Sequence, residues 1–434
     1  MKIIRYPDRT QWADIVRRPQ PENAQIDTVV KCILDDVKQH GDSAVIKYEE
    51  QFDHVQLSTL AVSAAEMDEA ERLVAPELKA AIKLAHRNIE KFHAAQHFEG
   101  QKIETLKGVT CWQKSVPIER VGLYIPGGTA PLFSTVLMLA TPAKIAGCKE
   151  IVLCTPPDKT GKVHPAILFA AQTAGVNTLF KVGGVQAIGA MAYGTQTIPQ
   201  VYKIFGPGNR YVMTAKQQVS LHQTAIDMPA GPSEVCVIAD ETSTAAFVAA
   251  DLLSQAEHGT DSQVLLITTS EELLKEVESE INQQLMQLPR KTIAEKALAN
   301  SLFVLVKDDN EAMALSNAYA PEHLIIATCN YNELATKVIN AGSVFLGKYA
   351  CESAGDYASG TNHTLPTHGY ARAYSGVNLD SYQRKITFQQ LDEAGITSIG
   401  RAVEVMAEAE QLQAHKQAMS IRIQSLQKTG SQKQ

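Results

Sequence analysis

VGLYIPGG (121–128), EIVLCTPP (150–157), NTLFKVGG (177–184) and VYKIFGPGN (201–209) decide the fold. Each is a short apolar run ending in a glycine or proline turn. Each is followed by a stretch with helical apolar spacing, at 131–148, 163–174, 185–194 and 211–219. Strand, turn and helix in repeated order mean parallel βα units, because a parallel neighbour is reached only through a crossover. Toward the C-terminus, SEVCVIAD (233–240), SQVLLITTS (262–270), SLFVLVKD (301–308), HLIIAT (323–328) and GSVFLG (342–347) form a second series. Two successive open α/β sheets are the simplest account. Toward the N-terminus, residues 26–97 read mostly as helix: Ile26, Val29, Val30, Ile33, Leu34 and Val37 keep 3.6-residue spacing up to Gly41. A second periodic segment runs from about Pro76 to His97, and ETLKGVTCWQKSVPIERVGLYIP after it reads as extended. From about Ile386 the chain is polar, poor in glycine and proline, and reads as helix to Gln427. Leu412, Met419, Ile423 and Leu426 make an apolar stripe there with no sheet of its own to cover. Such an arm must dock on the body or on another subunit.

The 434 residues allow two to four domains at about 150 residues each. Forty basic against 47 acidic side chains give a net charge of −7, which weighs against a nucleic-acid partner held by bulk charge. The longest apolar stretch, around 136–140, is stopped by Lys144, far short of the ~20 residues of a membrane span. No membrane partner is therefore expected. Asp8 and Asp14 stand where a signal peptide carries its apolar core, so a cytoplasmic location is expected. Seven scattered cysteines without a C-x-x-C pair exclude a disulfide framework and a thiolate zinc ribbon. A metal here has to use histidine, carboxylate and amide ligands.

Several short segments carry possible chemistry. Pro126-Gly127-Gly128, Gly183-Gly184 and Gly206-Pro207-Gly208-Asn209 all lie at carboxyl ends of predicted strands, where open α/β sheets bind ligands. Glycine there lets a backbone approach a phosphate at a helix N-terminus, or simply makes a βα turn. The full G-x-G-x-x-G is absent, with Tyr211 in the third glycine's place, and there is no Walker A motif. In the helical segment 245–258, closed by Gly259, Asp251, Gln255 and His258 fall on one face at i, i+4 and i+7. Gln255 and His258 sit at the negative helix end, suited to a cation, although His258 could equally cap the last carbonyls. Asp356, after Gly355 in a loop leaving GSVFLG, is a metal ligand or a turn aspartate. Glu322 and His323 follow Pro321, and both reach one site only if the pair sits on the turn itself; the alternative is a surface pair. His415 lies on or beside the C-terminal apolar stripe, as a ligand or a packed histidine. His93 and His97 form an i, i+4 pair without the glutamate of H-E-x-x-H, on a polar helix face, and are read as inert.

Taken in order, RVGLYIPGGTAP, VGGVQAIGAMAYGT, KIFGPGN, DMPAGPSEV, DLLSQAEHG, GTDSQV, APEHL, ESAGDYASGTNHTLPT and AEQLQAHKQA closely resemble the histidinol dehydrogenases, over about residues 20–425. The resemblance implies a four-electron oxidation of L-histidinol through bound L-histidinaldehyde to L-histidine, with NAD and one Zn²⁺ per subunit. It makes Gln255, His258, Asp356 and His415 the metal ligands, and Glu322 and His323 the catalytic pair. Substrate contacts fall on Ser233, His323, Glu410 and those ligands, and NAD contacts on Tyr124, Gln186 and Asn209. It implies a homodimer with exchanged arms, so that Glu410 and His415 complete the partner's site. The expected architecture is two Rossmann-like open parallel sheets with N- and C-terminal helical arms. The arms are 1–24 and 379–434. The metal and catalytic domain is 25–120 with 236–378, and the NAD domain is 121–235. Competing readings are a relative oxidising another small alcohol, and a zinc hydrolase, which leaves the glycine turns unexplained. A thiol mechanism through Cys148 or Cys111 lacks the basic neighbour that would activate either.

Overall fold

The structure, a computed structural model, describes residues 1–18, 24–127, 130–222 and 224–431. Gly128 of the first glycine turn, and residues 19–23 of the expected N-terminal arm, lie outside the described residues. Strand β1 (Lys2–Arg5) is followed after a helical stretch by β2 (Ile103–Leu106) and β3 (Val109–Pro117). Next come β4 (Arg120–Tyr124), β5 (Glu150–Thr155), β6 (Thr178–Lys181), β7 (Lys203–Phe205) and β8 (Ala225–Ile226). Strands β9 (Glu234–Ala239), β10 (Gln263–Thr268), β11 (Leu302–Leu305), β12 (His323–Ile326) and β13 (Ser343–Leu346) follow, and β14 (Gln383–Leu391) is last. The chain divides into two compact units, Met1–Gln96 with Ile118–Tyr382, and His97–Pro117 with Gln383–Gln434.

The first unit holds both parallel sheets. One has strand order β6-β5-β4-β7-β8, and the other β1-β11-β10-β9-β12-β13, every pair parallel. Strand order reverses between β4 and β7 in the first sheet, which opens a crevice at their carboxyl ends. The nine strands read from the two glycine-punctuated series are all present, and the helices between them lie where their apolar spacing places them.

Two departures concern what packs where. The helices of 24–94 were expected beside the 236–378 strands, but they bury their apolar faces with the five-stranded sheet. Ile82 and Ile89 share a core with Val136, Leu139 and Ile167, and Val30, Leu34 and Val37 share one with Ile188 and Met191. The cause is the crossover helices themselves: Phe133–Ala146 is buried at eleven of its fourteen residues. A helix apolar all round needs a further layer outside it. Gly189 makes room for that layer, since a Cβ there would lie 3.2 to 3.3 Å from Leu34 and Val37 side-chain atoms. Secondly, the N-terminus begins as a strand: β1 pairs in parallel with β11 along its whole length and forms the edge of the six-stranded sheet.

In the second unit β14-β3-β2 form an antiparallel sheet, with Trp112 stacked on Phe388 at 5.4 Å. The helix expected from Ile386 therefore starts later, because Gln383–Leu391 is a strand in register with β3 from Gln383↔Pro117 to Leu391↔Val109. Its partner lies far away in sequence, and only Ile386 and Phe388 show the period of two. Two helices, Glu393–Ala409 and Gln413–Ser431, complete the unit and meet where Gly400 faces Ile423 and Met419. Among the described residues no helix is long and apolar enough to cross a membrane.

Candidate active site

The site forms at the amino end of β12. The helix Asp309–Tyr319 stops at Ala320 in the left-handed conformation, and Pro321 prevents it from resuming. Glu322 and His323 thus lie on the turn into β12, both buried, with Glu322 Oε2 3.6 Å from His323 Nδ1. This is the arrangement that lets adjacent residues serve one site. The neighbouring strand β9 fixes both: Glu322 Oε2 accepts from Glu234 N at 2.8 Å, and His323 Nδ1 faces the Glu234 carbonyl at 3.2 Å. That carbonyl calls for the ring hydrogen on Nδ1 and turns Nε2 toward Asp356, whose Oδ1 is 3.4 Å away. Arg18 holds the Glu234 side chain with two bonds of 2.8 Å, so the first turn of β9 is anchored on both sides.

Two helices bring the remaining groups. Gln255, buried in the helix Ala245–Ala256, donates Nε2 to Glu322 Oε2 at 3.3 Å, while His258 sits exposed just beyond the helix end. Asp356 is not in a loop, as expected, but in the short helix Glu352–Tyr357. The packing of Gly355 against Phe345, where a Cβ would come within 2.5 Å, holds that helix on β13. A helix there places Glu352 on the face of Asp356, one turn earlier. Ligand atoms of His258, Glu352 and Asp356 all lie within 4.8 Å of one another. His363 bonds the Asp356 carbonyl at 2.9 Å and faces Thr135 Oγ1 at 3.2 Å.

Buried polar atoms that lack a full hydrogen bond collect here: Gln255 Oε1 and Glu352 Oε2 have no partner, and His323 Nε2 and Asp356 Oδ1 meet only each other across 3.4 Å. Burial pushes the carboxyls of Glu322 and Glu352 up to about 8, and that of Asp251, on the same helix face as Gln255, to about 7. Burial alone would lower His323, but Glu352, Glu322 and Asp356 outweigh it and raise the imidazole to about 10. Burial also works against the charged form of Asp356, yet His323 beside it keeps its carboxyl below the usual range. A group so rich in buried acid is costly unless a cation joins it. Nitrogen and oxygen donors with unpartnered atoms fit a divalent metal of the zinc type.

The other residues singled out in the sequence fall in three places. Ser233 immediately precedes Glu234, at the rim of this site. Tyr124 and Gln186 come together at the second glycine turn, where Gly184 N reaches the Tyr124 hydroxyl at 3.2 Å. Asn209 caps the helix Arg210–Ser220, its Oδ1 accepting from Val212 N at 3.1 Å. Gly206 joins the two, because a Cβ there would overlap the Tyr124 carbonyl, and its φ of 127° suits only glycine. Glu410 and His415 stand on the second unit, both exposed. His93 is buried, not on a polar face: it bonds the Ile89 carbonyl at 2.8 Å and faces Asn362, a packed histidine. Burial raises the Cys148 thiol to about 12, which makes it inert. Sequence reasoning missed Glu352, although E-x-x-x-D is a one-face pair once 352–357 is read as helix. It also missed Glu234, which acts mainly through its backbone and carries no motif.

Known proteins bear on this arrangement. A model of the histidinol dehydrogenase family matches residues 16–423. The chain is 65% identical to a histidinol dehydrogenase of Bacteroides fragilis over 99% of its length and all of the relative's, and 51% identical to that of Pasteurella multocida over 95% and 96%. The crystal structure of histidinol dehydrogenase from Elizabethkingia anophelis superposes with a TM-score of 0.97 at 53% identity, covering 98% of this chain and 99% of that one. The chain belongs to the histidinol dehydrogenase family, and is an oxidoreductase.

Proposed function

We propose that this enzyme oxidises L-histidinol to L-histidine through bound L-histidinaldehyde, the last step of histidine biosynthesis, with NAD⁺ as electron acceptor and one Zn²⁺ per subunit. The observation that carries the reading is the buried Glu322–His323 pair, set against Asp356 at 3.4 Å and beside the unpartnered buried oxygens of Gln255 and Glu352. Gln255, His258, Asp356 and His415 would hold the metal, which when bound supplies a fixed positive centre for the imidazole and amine nitrogens of the substrate. Tyr124, Gln186 and Asn209 would seat NAD⁺, which when bound would supply the hydride acceptor for both oxidations. The substrate lies against Ser233, His323, Glu410 and the metal ligands.

The protein's own groups then divide the proton work. His323 Nδ1 is tied to the Glu234 carbonyl, so Nε2 is the atom that takes the hydroxyl proton in the first oxidation. Glu322 Oε2 is occupied by Glu234 N and Gln255, which leaves Oε1 to draw a proton from water attacking the aldehyde. His323 passes its first proton to solvent and then accepts the hydroxyl proton of the aldehyde hydrate in the second oxidation. A metal held by these residues would offset the carboxylates that keep His323 protonated, and would so leave the ring free to act as a base. Treatment with a chelator should abolish activity, and Zn²⁺ should restore it, followed by metal analysis of the same samples. Full activity in metal-free protein would sink the assignment.

Glu410 and His415 are read as completing the site of a second copy, in a homodimer with exchanged arms. Support comes from their exposure and from the uncovered Val405, Met406, Leu412 and Ile421 on the same unit. Mixing two inactive variants tests this, one carrying His323→Asn and the other His415→Ala. After dissociation and reassembly, half of the dimers are mixed and each has one intact site. Roughly a quarter of the wild-type activity should then return, by the statistics of two-fold exchange. No recovery on mixing would mean that each chain builds its own site. The cytoplasmic setting that goes with this reading is supported by seven free cysteines.

A further inference from the structure

The second glycine turn, Gly183–Gly184 beyond β6, is backed by a carboxylate that no step above uses. Glu49, fully buried in the helical turn Glu49–Asp53, accepts at Oε1 from Gly183 N at 2.9 Å and from Gln186 Nε2 at 2.8 Å. Gly184 N is directed at the Tyr124 hydroxyl. Both amide hydrogens of the turn are therefore engaged within the protein. The third turn repeats the device: Gly206 N donates to Asp227 Oδ2 at 2.8 Å, and buried Lys216 pairs with Asp227 and donates to the Gly206 carbonyl.

A phosphate at such a turn needs free N–H groups. Here Gly183 N and Gly206 N go to carboxyl groups and Gly184 N to the Tyr124 hydroxyl, and Asp53 beside Glu49 adds further acid. What the second turn does offer is set by Glu49. With Nε2 bound to Glu49, the Gln186 amide is locked with Oε1 beside Gly184, buried and without a partner. That oxygen can only accept. The Tyr124 hydroxyl, accepting from Gly184 N, keeps its own hydrogen to donate. A fixed acceptor next to a fixed donor matches sugar hydroxyls, and repels a phosphoryl group.

We propose that Glu49 is a positioning and specificity-determining residue of the dinucleotide site: it orients the Gln186 carbonyl and reserves the Gly183–Gly184 turn for an unphosphorylated ribose. This rests on the NAD reading above. The test is steady-state kinetics with NAD⁺ and with NADP⁺ at saturating L-histidinol, on wild type, Glu49→Leu and Glu49→Gln, with thermal melting to confirm folding. Glu49→Leu frees the Gln186 amide and should raise KM for NAD⁺ about tenfold, with kcat within about twofold, as expected for a lost orienting hydrogen bond. Glu49→Gln keeps a carbonyl acceptor but cannot ionise. It should hold KM for NAD⁺ within about threefold while raising kcat/KM for NADP⁺ relative to NAD⁺ about tenfold. An unchanged KM in folded Glu49→Leu, or kcat falling in step with it, overturns the proposal, as does an unchanged cofactor ratio in Glu49→Gln. If Glu49→Leu does not fold, the ratio in Glu49→Gln decides alone. Wild type that turns over without either dinucleotide defeats the NAD reading itself, and the proposal with it.

Discussion

His323→Asn is expected to lower the rate of both oxidations, by about 10²–10⁴-fold, the usual worth of a positioned proton acceptor. The asparagine side chain is smaller, but its Nδ2 can take the place of Nδ1 and still donate to the Glu234 carbonyl, so the fold and metal site should persist. What it lacks is the ring nitrogen facing Asp356, 3.4 Å away, which is the only atom of residue 323 placed to take a substrate proton. Because the same atom serves twice, the loss should appear equally whether L-histidinol or L-histidinaldehyde is supplied. Rates measured from each substrate at saturating NAD⁺, beside the zinc content of the variant, check this. A variant impaired in alcohol oxidation alone would show that the second proton goes elsewhere.

Glu322→Gln should behave differently. The amide is isosteric, and its carbonyl can still accept from Glu234 N, but it cannot draw a proton from water. Oxidation of the aldehyde should fall by about 10²-fold or more, while oxidation of the alcohol stays within about tenfold. The residual loss on the first step reflects the altered charge around His323, since Glu322 is one of the three carboxylates that raise its basicity. Equal damage to the two steps would remove the division of labour between the pair. Both substitutions probe one turn, so their effects should not add.

The parallel sheets were legible because each strand is a local signal: an apolar run, a glycine or proline stop, then a helical period. β14 was not, since Gln383–Leu391 is polar and becomes a strand only by pairing with β3, more than 250 residues earlier. The same non-local effect hid the allegiance of the helices in 24–94, whose apolar stripes reveal an inner face but not which sheet it covers. Within the site, the face shared by Asp251 and Gln255 follows from helical spacing, whereas His258, expected on that face, lies beyond the helix end at Ala256; the Glu322–His323 turn follows from Pro321. Asp356 was recognised but placed in a loop, and that error concealed Glu352, which a helical reading puts on the same face. Glu49 carried no signal at all: it is separated from Gln186 by 137 residues, and only burial shows what it does.

The most direct test of the account is the amount of NADH formed per L-histidinol consumed. Bound aldehyde, a base used twice and a separate group for water predict two NADH per substrate, with no aldehyde captured by an external trapping amine. One NADH per substrate, with aldehyde accumulating in solution, would contradict it and leave an alcohol dehydrogenase in its place.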